Sequence, residues 1–349
     1  MASELKFNVL PSPTWNWLKM NDTLFQVKDP EGAAAPDVTL ASGVTENGIE
    51  LPKDIDGGMG TNFSRFLDLK KVGAEHFSFK TDTTDPMRLG FSYNDGRTLA
   101  NRIGVHVAEG KKASVIMNMA AGDKASGQYM MQTAIEIGES AELTLVQVIR
   151  GNDNSEFLND IRTDIADSGR FNLIQIVLGG KNVFLGVKND LSGYKSAIDM
   201  KLGYYMTGDN NLDVNYVASH TGQKTTCDIY ANGVLRDRAT KTFRGTIDFI
   251  KGCKGAKGNE MEDVLLMDKP VKNKTIPVIL CAEEDVEGNH GATIGKLAKD
   301  VLFYLESRGM SREAVYEMMA RARIDAIAAE IPDDETRELV GKYLDGFRR

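Results

Sequence analysis

The chain has 349 residues, 42% of them apolar, with 50 acidic against 42 basic residues and a formal net charge of −8. That is enough for one large or two ordinary domains around a sizeable core, and the acidic balance without a dense Lys/Arg cluster argues against nucleic-acid binding. Three widely spaced cysteines, Cys227, Cys253 and Cys281, with no C-x-x-C pair, argue against a disulfide framework or a preformed zinc site.

Residues 1–35 are expected to form an N-terminal arm. In PSPTWNWLKMND, Pro11 and Pro13 precede Trp15 and Trp17, the outline of a docking arm. Its start, MASELKFNVLPSP, lacks a basic segment followed by an apolar one, and no run of about 18 apolar residues follows anywhere. The expectation is a cytoplasmic protein that contacts no membrane. GAAAP reads as a flexible connector, and GGMGTNFSRFLDLK sets glycines before a mixed turn whose role the sequence leaves open. Phe63, Arg65, Phe66 and Leu67 are candidates for a short helix, and Val72 to Phe79 for a strand.

From about Val115 to Cys281 the texture becomes a series of short apolar segments broken by Gly, Asn and Asp. AELTLVQVI, FNLIQIVLGG, NVFLGVKNDL, AIDMKLGYYM, LDVNYVASH, CDIYANGVL, GTIDFI, DVLLM and PVILC each read as a strand. Met200, Val214, Ile229, Ile247, Leu265 and Ile279, taken as inward-facing, recur at intervals of roughly 14 to 18 residues, as strands do when they are added turn after turn. A β-sandwich would also give short strands between turns, but the period favours a β-solenoid, placed here over residues 36–290.

Residues 291–349 read as a small helical domain. AKDVLFYLESRG puts Val301, Leu302 and Leu305 on one side and stops at Gly309. Ser311, Glu313 and Ala314 start a second helix, whose Val315, Met318, Met319, Ala322 and Ile327 follow the helical period until Pro332. DDETRELVGKYLDGF gives a third.

The chemistry is sparse. GATIGKL lacks the spacing and the hydroxyl of a phosphate loop, so no ATP is expected on this chain. No hydrolase, zincin or dinucleotide fingerprint appears, and the four histidines, His76, His106, His220 and His290, are scattered. His290, in GNHGATIGKL, is either a metal ligand or an ordinary hydrogen-bonded histidine. Cys281 reads as a buried small hydrophobe. Cys253, between Lys251 and Lys254, is either a ligand with thiolate character or a spare exposed thiol. Glu262 and Asp263, taken as the start of the DVLLM strand, are solvated acids or hard ligands for iron.

TFRGTIDFIKGCKGAKGNEMEDVLLMDK, PVILCAEEDVEGNHGATIGKL and LFYLESRGMSREA, in that order, resemble the SufB/SufD family of iron-sulfur cluster assembly scaffolds. PTWNWLKMN and DIYANGVLRDRATKTFRG are similar to it too. The resemblance covers most of the chain and is densest over 212–325. It implies a right-handed parallel β-helix followed by a small α-helical C-terminal domain, in accord with the strand series and the tail. Compared with longer members, an N-terminal helical domain is expected to be short or missing.

The resemblance further implies a non-enzymatic scaffold that pairs through its β-helix with a second SufB/SufD-type chain, as homo- or heterodimer. Its C-terminal helices would dock a SufC-type ABC ATPase. His290 matches the SufD-type histidine at the interface where a transient iron-sulfur cluster forms. SufB-type chains carry a glutamate directly after that histidine, where this chain has Gly291, and Glu262 takes the place of the SufB-type cysteine; both departures favour a SufD-like chain. Cluster-assembly candidates are therefore His290, Cys253, Cys281 and Glu262. Candidates for SufC contact are Phe303, Tyr304, Arg308, Ser311, Val315, Met318 and Met319. A site that assembles and passes on a cluster wants few, spread ligands, and three cysteines cannot give the four thiolates of a stable ferredoxin. A β-helix carbohydrate-active enzyme and an adaptor that recruits the ATPase without binding iron are the competing classes.

Overall fold

The structure, a computed structural model, describes residues 2–13, 16–50 and 56–346; Trp15 of the arm lies outside them. In chain order the first strands are β1 (Ala2–Phe7), β2 (Thr23–Lys28), β3 (Asp37–Thr39), β4 (Val44–Glu46), β5 (Ala74–Phe79), β6 (Met87–Tyr93), β7 (Leu99–Val107), β8 (Lys112–Ala121), β9 (Gln128–Ile137) and β10 (Glu142–Arg150). There follow β11 (Glu156–Ile165), β12 (Arg170–Leu178), β13 (Asn182–Leu191), β14 (Ala197–Met206), β15 (Asn211–His220), β16 (Thr226–Leu235), β17 (Thr240–Phe249), β18 (Ala256–Leu266), β19 (Lys272–Cys281) and β20 (Val286–Gly295). Helix α1 (Thr61–Leu69) separates β4 from β5, and α2 (Lys299–Ser307), α3 (Arg312–Ala328) and α4 (Asp334–Gly346) follow β20.

From β5 onward consecutive strands alternate between two sheets, and from β7 onward each pairs in parallel with the strand one coil before it. One sheet runs β20-β18-β16-β14-β12-β10-β8-β6-β3 and the other β19-β17-β15-β13-β11-β9-β7-β5-β4. The molecule is thus mainly β, a parallel β-solenoid with helices at its C-terminal side. One coil carries two strands, so the interval read in the sequence is half a coil. Corner residues take left-handed backbone at Ser140, Ser168, Lys195 and Lys224, and each donates its N–H to the next coil's corner, as from Ser168 to the Tyr194 carbonyl at 2.7 Å.

Alternation decides what fills the space between the sheets. Met200, Val214, Ile229 and Ile247 point there as expected. Leu265 does not: it faces outward into the layer beneath α3 and α4. The strand series read from about Val115 extends back to Ala74, where the candidate strand at Val72 to Phe79 is β5. FNLIQIVL is apolar on both faces because both are covered. Leu173 and Val177 lie inside, whereas Ile174, Ile176 and Leu178 pack against the helices.

Helix α3 crosses the outer face of β12, β14 and β16 and buries Ala320, Ile324, Ile327 and Ala328. Ser311 caps it by accepting from the Ala314 N–H at 3.2 Å. Ion pairs from Arg323 to Asp263 (3.0 Å) and from Arg88 to Asp333 (2.6 Å) pin the layer's rim. The opposite sheet is covered by the antiparallel hairpin β1–β2 and by α1, through Phe7, Val27, Phe63, Phe66 and Leu67.

The two ends of the solenoid differ. One is closed by the short antiparallel strands β3 and β4. At the other, β19 and β20 are ten-residue edge strands on which no further strand of the described residues is stacked, and most of β20 is exposed. Position 290 lies mid-strand in β20, which continues to Gly295.

Candidate functional site

The open end gathers the polar residues that the sequence singled out, and alternation sorts them. On β20, His290 lies in register with Glu260 of β18, and Ala292 with Glu262. His290 thus belongs to the same face as a row of interior side chains, yet is exposed, since among the described residues no further coil covers it. Gly291 belongs to the outer face, where a Cβ would meet the Met261 thioether at 3.1 Å.

Beneath His290 the interior turns polar. Glu262 is fully buried and accepts from Lys241 Nζ, from Thr275 Oγ1 at 2.6 Å and from Tyr204 Oη at 3.3 Å. Lys241, on β17, is equally buried and also donates to Thr275 Oγ1 at 3.2 Å. Burial pulls its ammonium below the usual lysine range, against the Glu262 carboxylate, which holds it up. Contrary to the sequence expectation, Glu262 does not open its strand: β18 begins at Ala256, and the carboxylate lies deep in a closed pair.

Glu260 is 3% exposed, and its Oε2 has no hydrogen-bond partner among the described residues. Its carboxyl passes so close to β17 that a Cβ on Gly245 would sit 2.4 Å from Cδ, so the glycine in TFRGTIDF is a site of close approach. Burial, then the neighbouring Glu262 carboxylate, push Glu260 up to about 8, with Lys241 pulling the other way. A carboxyl that holds its proton in the folded state up to about pH 8, and only to about 4.5 unfolded, stabilises most below pH 4.5; that contribution is lost as pH rises to 8. Glu260→Gln therefore matches wild type near pH 4.5 and is more stable at pH 8.5 by on the order of 2–4 kcal/mol, measured by urea midpoints at both pH values.

The cysteines exchange the roles that the sequence reading assigned. Cys253 is fully buried among Ile247, Phe249, Ala256, Ile279 and Val286, and burial pushes its thiol up, so the flanking lysines do not make it a thiolate. Cys281, expected inside, is exposed at the end of β19, its Sγ 3.1 Å from the Glu283 carbonyl. The apolar run PVILC ends where the coil does. His220, which sequence reasoning passed over, is buried on Phe249 at 4.9 Å, with Nδ1 2.6 Å from Thr225 Oγ1. Burial pulls it down to about 4 and keeps it neutral. Among the described residues no three His, Cys, Asp or Glu side chains form a metal-holding group.

The second candidate region is the helical face. Phe303 and Tyr304 on α2 are 74% and 56% exposed, and the Arg308 guanidinium lies 5.3 Å from the Tyr304 ring. Ser311 and Met318 are exposed as well, whereas Val315 is fully buried and Met319 half-buried, so these last two serve packing. An open cleft of ≈ 930 Å³ between α2, α3 and the solenoid corner is lined by Arg236, Lys299, Phe303, Glu306, Arg312 and Tyr316, among others. Among the described residues no helix is long and apolar enough to cross a membrane.

Residues 91–323 match the family described as SUF system FeS cluster assembly, SufBD core domain. An iron-sulfur cluster assembly SufBD family protein of Mycobacterium tuberculosis is 30% identical over 131 residues, 38% of this chain and 16% of that protein. The iron-sulfur cluster assembly protein SufB of Bacillus subtilis is 29% identical over 120 residues, 34% of this chain and 26% of that protein. A SufBD family protein of Staphylococcus saprophyticus gives the same 29% over 120 residues. The matched stretch thus spans well under two thirds of each of these relatives. A parallel solenoid with a helical layer at its C-terminal side, and a match over residues 91–323, place the chain in the SufBD core family of the SUF system for iron-sulfur cluster assembly.

Proposed function

We propose that this chain is a SufD-like scaffold without catalytic activity of its own, which pairs through its open solenoid end with a second SufB/SufD-type chain and presents His290 to a transient iron-sulfur cluster. The observation that carries this reading is the place of His290: exposed, on the last uncapped strand, in a row with buried acids. Edge strands with unpaired N–H and C=O groups recruit another strand, and such pairing puts the imidazole at the junction. A neutral imidazole nitrogen suits iron as a borderline ligand. The cluster is cargo, and a site with few ligands from each chain holds it loosely enough to release. The other ligands come from the paired chain, consistent with the absence of a three-ligand group among the described residues and with the engagement of Glu262 by Lys241. Cys281, exposed at the same end, is the remaining thiol donor of this chain.

The helical face is assigned to a SufC-type ABC ATPase, which supplies the nucleotide chemistry. Exposed aromatic side chains beside arginine are the residues that anchor interfaces. Phe303→Ala with Tyr304→Ala is expected to weaken ATPase binding at least about 10-fold, with the melting temperature unchanged, because both side chains face solvent. Calorimetric titration of the double variant with the ATPase subunit checks this; undiminished binding removes the helical face from the proposal.

A further inference from the structure

Lysines that lie far apart in the sequence meet on one corner of the solenoid. The turns from β13 to β14, β15 to β16 and β17 to β18 stack on one another: the Lys195 N–H donates to the Gln223 carbonyl at 2.9 Å, and the Lys224 N–H to the Lys254 carbonyl at 2.8 Å. At the spacing of paired strands the three turns cover roughly 10 Å. They carry Lys195, Lys224, Lys251 and Lys254, all exposed. Among the described residues none of these four makes an ion pair, although lysines before, between and after them do. Like charges stacked across neighbouring strands destabilise, and a chain of net charge −8 leaves these uncompensated.

The ammonium groups are held in place rather than left free. Tyr194, 40% exposed, stands among them, with Lys195 Nζ and Lys224 Nζ 5.3 and 5.6 Å from its ring centre, close enough for cation–π attraction. The Lys224 stem also lies on the next turn, where a Cβ on Gly255 would meet its Cγ at 3.1 Å. Side chains already ordered lose less entropy when a partner binds.

The length of the patch decides what fits it. On one side the stacked turns continue through the Ser168 N–H on the Tyr194 carbonyl and the Ser140 N–H on the Asp167 carbonyl, and bear exposed Asp167 and Glu139. On the other, the Gly255 N–H donates to the Asp285 carbonyl at 2.7 Å, in a turn bearing Glu283, Glu284 and Asp285. Glu283 is engaged by the backbone N–H groups of Gly252 and Glu284, at 3.0 and 3.1 Å. A long polyanion or an anionic membrane laid on the lysines would run onto carboxylates at both sides; a short acidic segment would not. We propose that this corner is a docking surface for a short acidic segment of a partner protein, which spans the three turns and packs on Tyr194. It is not the helical cleft, which lies on the other corner beside Arg236, Met267 and Asp268.

The test is fluorescence anisotropy of fluorescein-labelled hexaglutamate titrated with the full chain at low salt. Wild type is expected to bind. Lys195→Glu with Lys224→Glu, and separately Lys251→Glu with Lys254→Glu, are each expected to weaken binding at least about 10-fold, with the melting temperature unchanged because all four side chains are exposed. Lys195 and Lys224 sit at left-handed backbone and the second pair does not, so the two variants separate charge from backbone strain. Lys124→Glu with Lys181→Glu, exposed on the other corner, changes the net charge equally and is expected to leave the affinity within about 2-fold. A wild type that ignores the peptide, or a control pair that loses as much as the corner pairs, overturns the proposal. So does single-stranded oligothymidylate binding more tightly than the peptide through the same lysines, which would make the corner a nucleic-acid surface.

Discussion

Lys241→Met lowers the unfolding free energy by about 3–5 kcal/mol, the cost of leaving a buried carboxylate without its counterion. Glu262 is fully buried, and among the described residues its donors are the Lys241 ammonium, Thr275 and Tyr204. Changing both partners together, Lys241→Met with Glu262→Leu, removes two desolvation costs at once and restores most of the loss. In a solenoid each coil is stabilised chiefly by its neighbours, so the damage concentrates in the last coils. Hydrogen exchange of β17–β19 amides, compared with those of β9–β11, reads it directly. A single variant within 1 kcal/mol of wild type, or a double variant no better than the single, removes the buried pair from the account of this end of the molecule.

That pair also marks where the sequence stops being readable. Strands such as FNLIQIVL announce themselves because sheet and helices cover both faces, and the helical tail is legible from Ser311 and Gly309 as punctuation. The stretch KGNEM, ahead of the strand start read at Glu262, carries no strand signal, because the inward residues here are Glu260 and Glu262 and the periodic signal is carried by apolar side chains alone. What makes those acids tolerable, Lys241 and Gly245, lies on another strand. The cysteines failed for a related reason. Local context, lysines for Cys253 and an apolar run for Cys281, says nothing of whether another coil lies above. The hairpin was still less legible: its clamp joins Arg244 to the Met20 carbonyl 224 positions away, and the outward-facing arginine in TFRGTIDF gives no local hint of that partner. His290 was found by family resemblance, and only the coil geometry supplies its register with Glu260.

His290→Ala is expected to cut cluster yield in the anaerobically reconstituted complex about 10-fold or more, the loss seen when a metal site is deprived of a directing group, with fold and ATPase docking unchanged. The separation is what gives the experiment its force. The imidazole is exposed on an edge strand, so truncation removes no core packing and moves stability by no more than about 0.5 kcal/mol. It sits on strand β20 and not on α2, which carries the face assigned to the ATPase. A ligand role and a packing role then predict opposite patterns. If His290 donates a nitrogen to iron, His290→Cys retains part of the yield, since thiolate is a competent iron ligand, while His290→Gln, similar in size and polarity, does not. If the side chain merely fills space at the junction, Gln is the better replacement and Cys the worse. Iron and sulfide content per complex, read with the visible absorbance of the reconstituted sample, decides between them. Equal yields from wild type and His290→Ala would leave the chain as a structural partner that recruits the ATPase.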